Sequence, residues 1–136
     1  MSRRGLTLLE IMIALGITSF TLLTMIGVYA SGLHLMARSK GITTGTELGR
    51  EVLEMAREQG FTSVPAEEVT YDGRVPDPGH AFLGFPPEPY PAATVDGKTY
   101  PMVVKVSPVS DQLKSITVQV YYDGGSKVTL QTLLKP

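Results

Sequence analysis

From residue 6 to residue 30 the chain reads LTLLEIMIALGITSFTLLTMIGVYA, and its one charged side chain there is Glu10. As a helix this run is ~37 Å long at ~1.5 Å per residue, enough to cross a hydrocarbon core of ~30 Å. A carboxylate in such a segment costs ~2.5–3.5 kcal/mol if it lies deep, and less near the interface. Ionisable groups in apolar spans are rare for that reason and mark function, so Glu10 is a candidate site residue in need of a partner.

The residues before the run give Glu10 a context. Arg3-Arg4-Gly5 is a short basic leader ending in Gly, Leu6-Thr7-Leu8-Leu9 follows, and Glu10 is the fifth residue after the Gly. This arrangement resembles the prepilin-type signal of type IV pilins and type II secretion pseudopilins. Its Leu6 stands where that family most often has Phe, a substitution the family tolerates. The resemblance covers about residues 3–30 closely and the remainder only in layout. It implies recognition of a leader carrying Arg3 and Arg4 by a prepilin peptidase, cleavage between Gly5 and Leu6, and N-methylation of Leu6. The apolar run then serves as a membrane anchor and later as the core of a filament, with Glu10 pairing with the Leu6 amine of another subunit during assembly. The implied partners are the peptidase, other pilin or pseudopilin subunits, an inner-membrane assembly platform and the lipid bilayer. The implied location is a bacterial inner membrane, single-pass with a cytoplasmic N-terminus, and after assembly a periplasmic or cell-surface filament.

Two other readings of the same segment exist. A secretory signal would be cut after Val28-Tyr29-Ala30 and release a binding module, but its apolar core is ~7–15 residues, shorter than this run. An uncut anchor would keep Met1. Basic residues flank the run on both sides, Arg3 and Arg4 before it and Arg38 and Lys40 after it, so charge does not fix orientation.

The chain has 136 residues and a formal net charge of −1, which bounds it to one small structural unit with no basic stripe that would imply a nucleic-acid partner. It contains no cysteine, so no disulfide staples it. Many major pilins resembling it over the first thirty residues close a C-terminal loop with a disulfide. That absence, the short length and an ending directly on a strand lean toward a minor subunit.

The sequence predicts α+β architecture: one helix from about 6 to 59, then a small C-terminal antiparallel sheet of about three strands. Its segments are a leader (1–5), a transmembrane and assembly helix (6–30), an amphipathic continuation (31–60), a Pro/Gly-rich variable region (61–100) and the sheet (101–136). Leu48, Val52, Met55, Ala56 and Gln59 form a stripe at helical spacing that would cover the sheet. Glu47, Arg50, Glu54 and Arg57 are spaced for ion pairs, Gly60 for a C-cap, and the glycines and threonines at 41–46 for a break or bend. Residues 61–101 hold eight of the ten prolines, with a short strand expected at 68–71. The FPPEPYP run suits a polyproline ligand or, more simply, a connector packing Phe82, Phe85 and Tyr90 onto the sheet. Three runs then alternate with period 2: Met102, Val104, Val106; Ile116, Val118, Val120, Tyr122; and Val128, Leu130, Thr132, Leu134. One apolar face per strand is the pattern of a half-buried antiparallel sheet. Asp123-Gly124-Gly125 and residues 110–114 read as its turns.

No chemistry-bearing motif accompanies this layout. His34 and His80 are far apart in sequence, the acidic residues Asp72, Asp77, Glu88 and Asp96 lie scattered, and no nucleophile elbow or phosphate loop occurs. The expectation is a structural protein, a substrate of an enzyme and not itself one, without metal or cofactor.

Overall fold

A computed structural model describes residues 7–75 and 84–136. The chain divides into two compact units, Met1–Ser39 and Lys40–Pro136. Helix α1, Leu8–Gln59, contributes to both.

In the first unit α1 is apolar on every side. Leu8, Phe20, Leu23, Val28, Tyr29 and Met36 are all exposed. A helix apolar all round is stable only when something other than water surrounds it. By length and composition α1 can cross a membrane, a criterion that an N-terminal signal sequence also meets. Its hydroxyls do not oppose this. Thr18, Thr21, Thr24 and Ser31 donate to the carbonyls of Ala14, Ile17, Phe20 and Gly27 at 2.8–2.9 Å, so each is satisfied within the helix.

In the second unit the remainder of α1 lies against an antiparallel sheet. The strands are β1 Val69–Asp72, β2 Ala92–Val95, β3 Lys98–Ser110, β4 Leu113–Asp123 and β5 Ser126–Leu134. Their order is β1-β3-β4-β5, with β2 pairing the start of β3. The α+β class holds, but the sheet has five strands where about three are expected. The region expected as loop, 61–100, contains β1, β2 and the beginning of β3. The short strand expected at 68–71 is β1, one residue later.

Alternation in the last three strands is as the pattern predicts. Met102, Val104, Val106, Ile116, Val118 and Val120 are fully buried, while Val128 and Leu130 on β5 are only partly so. Each fully buried side chain of this kind contributes ~1.5–3 kcal/mol. Phe85 is fully buried and rings with Tyr71 at 5.7 Å, and Tyr71 meets Tyr90 at 6.3 Å. The proline-rich run is therefore a connector packed on the core; Phe82 lies outside the described residues.

The face of α1 that meets the sheet is Gly41, Gly45, Leu48, Gly49, Val52, Leu53 and Ala56. Met55 is half-buried, and Gln59 is exposed and donates to the Gly84 carbonyl at 3.3 Å. No break occurs at 41–46, because the helix continues through it. The reason is tertiary. A Cβ at Gly41 would fall 2.8 Å from Tyr122 Cδ2 and one at Gly49 2.5 Å from Leu130 Cδ1. These glycines let helix backbone approach β4 and β5 closely. At Gly45 the nearest atom would be Val128 Cγ2 at 3.5 Å, ordinary contact, so Gly45→Ala is expected to gain helix propensity of up to ~1 kcal/mol. Gly41→Ala must displace the Tyr122 ring and is expected to destabilise. Thermal unfolding of the two variants checks the opposite signs.

The expected ion-pair ladder on α1 is not among the ion pairs of the described residues. Arg57 instead donates to the Thr132 hydroxyl on β5. Gly60, at φ 85° and ψ 169°, ends the helix and returns its N–H to the Arg57 carbonyl at 3.1 Å, an extended positive-φ conformation that only glycine adopts readily. Beyond it Lys114, expected in a turn, sits buried on β4. Its ammonium donates to the carbonyls of Phe61 and Val64 at 2.7 and 2.6 Å and lies 4.0 Å from the Phe61 ring centre. Burial lowers its pKa; the two carbonyls supply the compensation a buried cation needs.

Candidate functional site

The site the sequence singles out lies where α1 begins. Thr7 precedes the first helical residue, and its hydroxyl accepts from the Glu10 N–H at 3.3 Å. The Glu10 carboxylate in turn accepts from the Thr7 N–H at 3.5 Å. This reciprocal pair is a capping box: it occupies two N–H groups that a helix start leaves bare. Losing a cap of this sort costs ~0.5–2 kcal/mol of helix stability. The next helical bond, Ile11 N–H to the Thr7 carbonyl at 3.2 Å, closes the first turn. The negative charge also lies at the positive end of the helix dipole.

Glu10 is thus already engaged within its own chain, a role the sequence reading omitted. The signal was present: Thr7-Leu8-Leu9-Glu10 has the T-x-x-E spacing of a capping box. One N–H does not saturate a carboxylate, whose two oxygens offer about four acceptor sites. Capacity remains for a cation brought alongside.

Arg3, Arg4, Gly5 and Leu6 lie outside the described residues, as does His80. His34 is exposed on α1. Asp72 and Asp96, read as scattered, each hold a cation instead. Asp72 takes both arms of Arg74 at 2.8 and 2.6 Å, which hold its carboxyl down at about 2. Asp96 meets Lys40 of α1 at 2.6 Å. Both members of that second pair are largely exposed, so it orients more than it stabilises.

Together, the long apolar N-terminal helix, its second part packed on an antiparallel sheet, and the capped carboxylate at its start make a pilin-like architecture. Set against known proteins, the chain matches no family model, no curated protein and no solved structure.

Proposed function

We propose that this chain is a structural subunit of a type IV pilus or pseudopilus, most simply a minor one. It enters the inner membrane with its N-terminus cytoplasmic, is cleaved after Gly5 by a prepilin peptidase, is methylated at the Leu6 amine and then assembles. Glu10 serves assembly by meeting the Leu6 amine of a neighbouring subunit beside the assembly platform. The observation that carries this reading is a helix apolar on all sides with its single carboxylate within one turn of its start, continuing into a sheet-packed segment. A plain anchor would use Glu10 only as the cap it already is, whereas assembly also uses the acceptor sites the cap leaves open, and a cleaved signal has no use for a helix that runs on to Gln59.

Cleavage tests it. Gly5 offers no side chain, and the peptidase of the resembling family accepts only small residues before the cut. Gly5→Val is expected to leave the chain at full length in the membrane fraction. Normal shortening of that variant, read by gel mobility and mass, would overturn the reading.

A further inference from the structure

The two outer strands of the sheet carry opposite charge. β5 pairs with β4 alone, so one row of its backbone N–H and C=O groups is left open among the described residues. From Ser126 to the last residue this edge has Lys127 and Lys135 and no carboxylate side chain. β1, at the other end of the strand order, is flanked by Glu67 and Glu68 and ends in Asp72; Glu68 meets Lys105 at 2.8 Å and Asp72 holds Arg74 at 2.6 Å, so Glu67 is the carboxylate of this edge outside the ion pairs of the described residues. Beside it lies a cavity of about 360 Å³ lined by Pro65, Ala66, Glu67, Val69 and Tyr71. Val128 and Leu130, on the core face of β5, stay partly exposed while their β4 partners Val120 and Val118 are fully covered. An open strand edge is ordinarily blunted or paired.

We infer that β5 of one copy of this chain adds antiparallel to β1 of the next, so that copies associate edge to edge and head to tail. Strand direction permits it. β1 and β4 both run antiparallel to β3, and β5 antiparallel to β4, so β5 and β1 point oppositely in copies that face the same way. The inference rests on the proposed function in one respect: subunits anchored in one membrane do face the same way. A two-fold pairing of β5 with β5 would run the two helices in opposite directions and bring together edges that carry only lysines.

Face and charge select the register. Side chains alternate, so an outer-face residue of β5 must meet an outer-face residue of β1. Placing Lys127 opposite Asp72 puts Thr129 opposite Thr70 and Gln131 opposite Glu68. On the core face the same register sets Val128 beside Tyr71 and Leu130 beside Val69, against the cavity. Moving it two residues one way sets Lys127 against Arg74, a like-charge pair that opposes association. Moving it two residues the other way sets Leu130 against Glu67 and loses its contact with Val69. Because the two surfaces differ, the contact is heterologous and leaves each added copy with a free edge for the next.

Cysteine crosslinking tests this in the full chain, which has no cysteine of its own. Thr70 and Thr129 are both exposed, and within one chain they stand on strands three spacings apart, roughly 14 Å, beyond disulfide reach. Two differently tagged chains, one Thr70→Cys and one Thr129→Cys, are expressed together, and the membranes are oxidised with copper phenanthroline. The expected product is a mixed-tag dimer at least ~10-fold above that of either variant alone, and the double variant gives a ladder of dimers, trimers and larger species. Adding Lys127→Glu is expected to reduce the mixed dimer several-fold. No mixed dimer, or a strong dimer from Thr129→Cys alone, would overturn the inference. Cleavage after Gly5 is read by size on the same samples. Processed chains without the crosslink reject edge pairing alone, and crosslinked chains that are never processed support edge pairing while rejecting the proposed maturation.

Discussion

Val118→Asp is expected to unfold the second unit, whereas Gln119→Asp, one residue along, is expected to leave it folded. Val118 is fully buried on β4 between Val104 of β3 and Leu130 of β5, in the layer that the Leu48 and Val52 face of α1 covers. A carboxylate there has no cation or donor to meet, and an uncompensated buried charge costs roughly 3–5 kcal/mol. Small domains have total stabilities of about 5–15 kcal/mol, so much or all of it is lost. Gln119 faces the other way. Its side-chain oxygen accepts from Lys127 Nζ at 2.9 Å and from the Tyr121 hydroxyl at 3.3 Å, and an aspartate there keeps an acceptor near a cation. Its expected cost is below ~1 kcal/mol. Denaturant unfolding of both variants measures the gap. Equal losses, or a reversed order, would show that β4 presents its other face to the helix.

The second large effect concerns Glu10. Glu10→Val removes the carboxylate and half of the capping box, which frays the first turn of α1 by ~0.5–2 kcal/mol but touches nothing in Lys40–Pro136. Membrane insertion, cleavage after Gly5 and folding of the second unit are therefore expected to persist. Incorporation into filaments is expected to fall at least ~10-fold, because the Leu6 amine of an incoming subunit would be desolvated without a counter-charge, at a cost of several kcal/mol. Thr7→Ala separates the two roles. It removes the hydroxyl half of the box and leaves the carboxylate, so it should fray the helix start yet assemble far better than Glu10→Val. Similar assembly defects in the two variants would mean that Glu10 acts only as a cap.

What the sequence made legible follows one rule: patterns created by a single local environment could be read, and those created by a distant contact could not. β3, β4 and β5 alternate because one face of each packs on the helix, and the alternation names that face correctly, although Val103 and Ser115 on the opposite face are also buried. β2 is Ala92-Ala93-Thr94-Val95 and has no such contrast, since none of its four residues is fully buried. Its one local mark was Asp96-Gly97, where both residues have positive φ, 51° and 75°, in the turn to β3, as an Asp-Gly hairpin requires. Gly41 and Gly49 look like weak points when helix propensity is the only criterion; their place is explained by Tyr122 and Leu130, far along the chain. Lys114 reads as a turn residue because nothing local shows that carbonyls at 61 and 64 await it. Arg57, spaced to meet Glu54, finds Thr132. At the candidate site the position of Glu10 could be read from its isolation in the apolar run and its capping role from the T-x-x-E spacing. A cation brought by a second copy, as proposed, would leave no trace in either pattern.

Proposed maturation at Leu6 is read from the mass of the N-terminal peptide taken from membranes of cells holding a matching peptidase. The expected peptide begins at Leu6, is heavier than its sequence by one methyl group, about 14 Da, and is lost in Gly5→Val. A peptide beginning at Met1 would overturn this maturation and identify a plain anchor, and one beginning at Ser31 would overturn it and identify a secreted domain.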